Sequence, residues 1–283
     1  MPDYADLERR IVVWARTDPN IRGALLDGSR ARTAHPADEW SDLDLIFFVT
    51  GREPYAAGPE WLSTIGTPLA PVFERHSNGN VEWLVLFADG LKADFYFALA
   101  TAPLRVLLSD SPLRFVLRRG YRVLIDRDDP SFEGHREPGS PVSAPLPTAA
   151  EFAATLNELW LYAWRVARSL RRGALWVAKA ECDGYLKRRM LTLLEWHALA
   201  VHGPEHDTWH DGRFLDDWAD PRALAGLPAT FGSYDIADQW RALFATLDLS
   251  HWLAQDIAAR REFVYPAETR TRVIELIRRM ARD

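Results

Sequence analysis

One cysteine, Cys182, stands in 283 residues, too few for an intrachain disulfide or a cysteine-rich zinc site. A reducing compartment is therefore expected, with the cytoplasm as the default location. Runs of about 18 apolar residues are missing. The segment MPDYADLERR has no basic stretch leading into an apolar one, so neither membrane association nor secretion is expected. An excess of positive charge is missing too: 34 basic against 40 acidic residues give a net charge of −6. That balance argues against nucleic acid as a partner and is compatible with a cationic small molecule. A Walker A loop, a Rossmann glycine fingerprint, a nucleophile elbow and an HExxH pair are also absent, which removes several common routes to nucleotide binding and hydrolysis.

What remains is a chain 48% hydrophobic and 26% charged, close to globular averages and long enough for one or two domains. Its twelve tryptophans serve cores and ligand walls alike and do not by themselves choose between them.

Asp3 caps a pattern in which Leu7, Ile11, Trp14 and Ala15 recur at helical spacing, predicting a helix over 3–17. Short apolar or alternating runs at 21–27, 42–49, 69–75, 81–88, 92–99 and 121–126 read as strands. Asn78-Gly79 and Asp89-Gly90 are expected hairpin turns, so the sheet is mixed. Helical patterns cover 57–66 and 103–117. From Asp126 to Pro147 five prolines and two glycines preclude a regular element. Thr148 and Glu151 then form a capping box ahead of Phe152, Leu156, Leu159, Ala163, Ala167 and Leu170. Further helical patterns follow at about 186–201, 234–262 and 267–281. The expected fold is α+β: a mixed-sheet domain with flanking helices over 1–135, a Pro-rich linker over 136–147, and an all-α helical bundle over 148–283. The oligomeric state is open, with a monomer favoured.

The segment LLDGSRARTAHPADEWSDLDLIFFV carries the chemistry. Residues two apart on a strand share a face, so Asp42 and Asp44 present two carboxylates together, while Leu43 and Leu45 turn away. Such charges repel unless a cation joins them, and hard oxygen ligands suit Mg2+, which pairs a few carboxylates with substrate phosphates. Gly28 permits close approach of the backbone to an anion and Ser29 offers donors. Arg30 is positioned in sequence to supply charge to a leaving pyrophosphate. Asp94, sharing a face with Tyr96, supplies a third acid if its strand lies beside that of Asp44; an unpaired carboxylate among aromatics otherwise costs several kcal/mol. The plainer alternatives are a solvated turn for Asp42 and Asp44 and a salt bridge to Lys92 for Asp94.

Gly-Ser, a spacer, Asp-x-Asp and a later strand acid resemble the polymerase-β-like nucleotidyltransferase superfamily. The stretches DGSRA, SDLDLIFFV, LVLFADGLKADF, EFAATLNELWLYAWRVARSL and LLEWHA resemble, more narrowly, the bacterial aminoglycoside 6-adenylyltransferases that modify streptomycin. Two positions depart from that pattern: Asp27 stands where Asn is more frequent, and Leu43 where Tyr is. The resemblance implies that Gly28 and Ser29 hold the triphosphate of ATP and that Asp42, Asp44 and Asp94 bind Mg2+. AMP would pass to a hydroxyl of a cationic aminoglycoside, most simply the 6-hydroxyl of streptomycin, releasing pyrophosphate. A lincosamide or protein hydroxyl is the rival acceptor, and a regulatory module that binds nucleotide without turnover is the rival class.

Asp94 could also take the proton of the attacking hydroxyl; in the helical half, Glu158 is the other candidate base and a carboxylate for a cationic acceptor. Trp160 and Tyr162 are candidates for the acceptor wall, against the alternative of helix packing. Lys187, with Arg188 and Arg189, could reach ATP phosphates, against the alternative of a solvated basic face. His197 is expected to be a hydrogen-bonded core residue and Cys182 to pack. Gly203-Pro204 breaks any helix that would align His202, His206 and His210 as metal ligands.

Overall fold

The mixed pairing foreseen for the strand runs is realised in one sheet of the computed structural model, which describes residues 3–110, 117–140 and 145–282. Its strands are β1 (Ile21–Asp27), β2 (Leu43–Val49), β3 (Pro68–Arg75), β4 (Val81–Phe87), β5 (Lys92–Leu99), β6 (Tyr121–Asp126) and β7 (Arg136–Glu137). They lie in the order β3-β4-β5-β2-β1-β6-β7 among the described residues. Every neighbouring pair is antiparallel except β2 and β5, which run parallel. Gly79 and Gly90 take φ of 80° and 82° in the two turns, so β3, β4 and β5 form consecutive hairpins as expected.

Alternation along the strands separates two faces. Leu43, Leu45, Phe47 and Val49 of β2, with Ala93, Phe95 and Phe97 of β5, turn to an apolar layer. That layer is closed by Leu7, Ile11, Trp14 and Ala15 of helix α1 (Tyr4–Thr17). Asp3 caps α1 by accepting from the Asp6 amide at 3.0 Å. The opposite face is divided. Toward one end Ile46, Phe48, Ala98 and Leu25 pack under Leu104 and Phe132; toward the other, Asp27, Asp44 and Asp94 line an open cavity.

Two expectations are corrected. The helix predicted over 57–66 is instead a short helix α2 (Glu53–Ala56) and a 3-10 helix over Glu60–Thr64. Pro59 between them lacks an amide donor and disfavours helical backbone at Gly58. The pattern over 103–117 yields α3 (Leu104–Asp110), and 111–116 lie outside the described residues. The stretch after Asp126, read as devoid of regular structure, holds a 3-10 turn over Pro130–Phe132 and the strand β7. That return pairs β6, whose edge groups would otherwise lack partners: the Val123 amide donates to the His135 carbonyl at 2.9 Å.

The chain divides into two compact units, Met1–Ser140 and Pro141–Asp283. The second is helical: α4 (Ala149–Arg171), α5 (Leu175–Glu181), α6 (Lys187–His202), α7 (Ile236–Arg261) and α8 (Ala267–Arg282), with shorter turns between α6 and α7. Thr148 and Glu151 form the capping box at the start of α4. A single π-helical turn, Cys182–Leu186, joins α5 to α6 and shifts the helical phase just before Lys187. No described helix is long and apolar enough to cross a membrane.

Candidate active site

β1 ends at Asp27, and the chain turns at once into a 3-10 helix, Gly28–Arg30. Gly28 has φ +66°, and a Cβ at this position would stand 1.9 Å from Oδ2 of Asp44. Only glycine both accepts that backbone and leaves the Asp44 carboxylate in place. The following hydroxyl, Ser29 Oγ, is buried and has no hydrogen-bond partner.

Asp44 lies opposite Asp27 on one side and Asp94 on the other, because β2 sits between β1 and β5. Asp42 immediately precedes β2. Carboxylate oxygens of Asp42, Asp44 and Asp94 all lie within 4.8 Å of one another. Lys92 Nζ bridges two of them, at 2.5 Å from Asp42 Oδ2 and 2.7 Å from Asp94 Oδ2. The structure thus shows both the carboxylate cluster and the Lys92 salt bridge that were weighed as alternatives for Asp94.

Burial shapes the titration of this cluster. It pushes the Asp94 carboxyl above its ordinary range, the bonds from Lys92 oppose it, and the charges of Asp42 and Glu82 add to the rise. Asp27 is raised well above the carboxylate range by burial and then by the Asp44 charge. Burial alone would lower the Lys92 pKa, but its bonds to Asp42 and Asp94 outweigh that and raise it.

Three acids converging on one point, with Asp94 Oδ1 buried and unpartnered, fit a hard divalent cation held by a few carboxylates. The unpartnered Ser29 hydroxyl at the Gly28 turn likewise fits a phosphate oxygen. A cavity of about 390 Å³ opens over this end of the sheet, lined by Asp27, Asp44, Ile46, Asp94, Tyr96, His76 and Glu82.

Arg30 is engaged by backbone carbonyls and an aromatic ring. Its guanidinium donates to the carbonyls of Ser41 at 2.7 Å and Asp42 at 3.1 Å and stacks over the Tyr4 ring at 3.8 Å. It holds the segment leading into Asp42.

The candidates of the helical half belong to the second unit. Trp160 is corrected: it is 4% exposed inside the helical core, so its ring offers no wall to a solute. Lys187 is also buried, not on a solvated face; its Nζ donates to Thr246 Oγ1 at 3.0 Å and lies 3.6 Å from Cys182 Sγ. Burial lowers its pKa. It borders a separate cavity of about 400 Å³ with Asp183 and Phe231. Glu158 is half exposed and paired with Arg189 at 2.8 Å. Tyr162 stacks on Tyr185 with centroids 5.0 Å apart. His197 is a core residue, bonded to Asp256 at 2.9 Å.

His76 and Glu82 are cavity residues that no motif singles out. Alternation in VEWLVLF places Glu82 on the polar face, but only the pairing of β4 with β5 brings it near Asp94.

The chain is similar to aminoglycoside 6-adenylyltransferases. An aminoglycoside 6-adenylyltransferase of Bacillus subtilis is 24% identical over 263 residues, 89% of each chain. One of Campylobacter jejuni is 22% identical over 90% of this chain and 88% of its own. The crystal structure of an aminoglycoside 6-adenyltransferase from Bacillus subtilis superposes with a TM-score of 0.47 at 17% identity, covering 99% of this chain and 97% of the other. The family model described as streptomycin adenylyltransferase matches residues 1–280, and the chain belongs to that family of nucleotidyltransferases.

Proposed function

We propose that this protein transfers AMP from ATP to a hydroxyl of an aminoglycoside, releasing pyrophosphate, with Mg2+ as the cation and the 6-hydroxyl of streptomycin as the leading acceptor. The observation that carries this reading is the convergence of Asp42, Asp44 and Asp94 within 4.8 Å, next to a turn whose Ser29 hydroxyl is buried and unpartnered. Asp42, Asp44 and Asp94 would hold the cation, which when bound supplies Lewis-acid stabilisation of charge on phosphate oxygens.

The protein's own groups divide the remaining work. Ser29 Oγ donates to a phosphate oxygen, and Gly28 lets the triphosphate approach the backbone. Asp94 Oδ1, free of protein donors, accepts the proton of the attacking hydroxyl. Arg30 keeps Asp42 in place through the Asp42 carbonyl, so its contribution is positional.

The test is mass spectrometry of an aminoglycoside panel incubated with protein, MgATP and pyrophosphatase. The expected result is a gain of one AMP unit on streptomycin. AMP appearing only on a lincosamide or a protein hydroxyl, or on nothing, would overturn the reading.

A further inference from the structure

The face of the sheet that carries the three aspartates extends beyond them toward β4 and β3. Cross-strand pairing lays it out in rows: Leu84, Asp94, Asp44 and Asp27 form one, and Glu74, Glu82, Tyr96 and Ile46 form the next. Gly28 and Ser29 follow β1, at one end of the first row. Glu82 and His76 lie at the other end, past Asp94, yet line the same cavity. A nucleotide drawn by its phosphates to the Gly28 turn therefore leaves the β4 end for the second substrate.

That end is built for an organic cation. Glu82 Oε2 lies 2.8 Å from His76 Nε2, which fixes the carboxylate. The Tyr96 ring stands beside it in the adjoining strand and packs edge-on against His76, centroids 5.1 Å apart. The Tyr96 hydroxyl accepts from Asn80 Nδ2 at 2.8 Å, so the ring is fixed too. A rigid carboxylate beside an aromatic ring offers a cation both a charge-assisted hydrogen bond and the ring's negative face. A phosphate would meet repulsion there from Glu82 and from Glu74 opposite it. Glu74, His76 and Glu82 also place ligand atoms within 4.8 Å of one another. The His76–Glu82 hydrogen bond already joins two of them, however, and none of the three has an orphaned buried atom like that of Asp94.

We propose that Glu82, oriented by His76 and flanked by Tyr96, is the specificity-determining carboxylate that receives an ammonium or guanidinium group of the hydroxyl acceptor. This rests on the adenylyl-transfer reading above. It assigns the acceptor's charge recognition to the β-sheet unit, on strand β4, in the same cavity as the acids.

Steady-state kinetics of Glu82→Gln test it with two acceptors that differ only in whether one cationic group is replaced by a neutral one. With the cationic acceptor the variant should raise acceptor KM about tenfold, as for loss of a charge-assisted hydrogen bond. The KM for ATP and kcat should change by less than about threefold. The neutral acceptor should already bind poorly to the wild type and lose nothing further in the variant, since the two changes remove the same contact. His76→Gln should raise acceptor KM by less. An equal loss on both acceptors, a loss confined to kcat, or no loss overturns the assignment. A normal KM for ATP and an unchanged circular dichroism spectrum show that the variant is folded. Absence of AMP transfer by the wild type to every aminoglycoside sinks the adenylyl-transfer reading itself, and this inference with it.

Discussion

Lys92 Nζ lies 2.7 Å from Oδ2 of Asp94, so the strand that carries the third acid also carries its counter-charge, two residues away on the same face. The same ammonium reaches Asp42 and lowers the repulsion among carboxylates that would otherwise oppose folding. A divalent cation held by this cluster, as proposed, would compete with it for those oxygens. Lys92→Met should therefore lower stability without added cation by about 1 kcal/mol, a value discounted for the partial exposure of the pair. It should also enlarge the stabilisation gained on adding Mg2+. Thermal melts with and without Mg2+ measure both, and a smaller Mg2+ shift in the variant than in the wild type would count against the competition.

Asp42→Asn and Asp44→Asn each remove a formal charge from the cluster at nearly constant volume. If transfer depends on charge held at this point, each should cut kcat by about 10²-fold or more. The secondary structure should be retained, because neither side chain contributes to the apolar layer closed by α1. Near-normal rates in both variants at saturating Mg2+ would place the active site elsewhere.

Gly28 and Ser29 are neighbours with different sensitivities. Gly28→Ala puts a methyl group where Asp44 Oδ2 now stands and forces a side chain into φ +66°. The backbone strain costs about 1–2 kcal/mol, and the displaced Asp44 carboxylate should lower kcat by about 10²-fold. Ser29→Ala removes the proposed phosphate donor and should weaken nucleotide binding by about 0.5–1.5 kcal/mol. Calorimetric titration with MgATP and urea denaturation separate the two effects. Equal stability losses in the two variants would contradict the strain argument.

The acids were legible in the sequence because strand alternation is local. Asp44 and Asp94 reveal their face from their own neighbours, as do the apolar Leu43, Leu45, Phe95 and Phe97. Glu82 and His76 were not legible, since their place depends on β4 lying next to β5, a long-range pairing that no short motif encodes. The partners of Arg30 were not legible for a related reason. Its position after Gly28-Ser29 suggests a phosphate contact, but the carbonyls that capture it come from residues about a dozen positions away. Trp160 and Lys187 show the limit of helical periodicity. One faces the core within a pattern that fits either side, and the other follows a π turn that no residue pattern announced.

Glu195 on α6 gives the helical unit a pH dependence of its own. Burial, with a smaller contribution from the Asp211 charge, pushes its pKa up to about 7; in an unfolded chain it titrates near about 4.3. Below the unfolded value the carboxyl is protonated in both states and has no effect on stability. Between the two values the unfolded chain releases the proton more readily, so stability falls as pH rises, and the penalty is complete above the folded value. Partial exposure limits it to about 1–2 kcal/mol. Glu195→Gln abolishes the ionisation and should raise stability by that amount at pH 8 while leaving it unchanged at pH 4. Urea denaturation at the two pH values checks this, and a gain of the same size at both would show that packing, not ionisation, accounts for the effect.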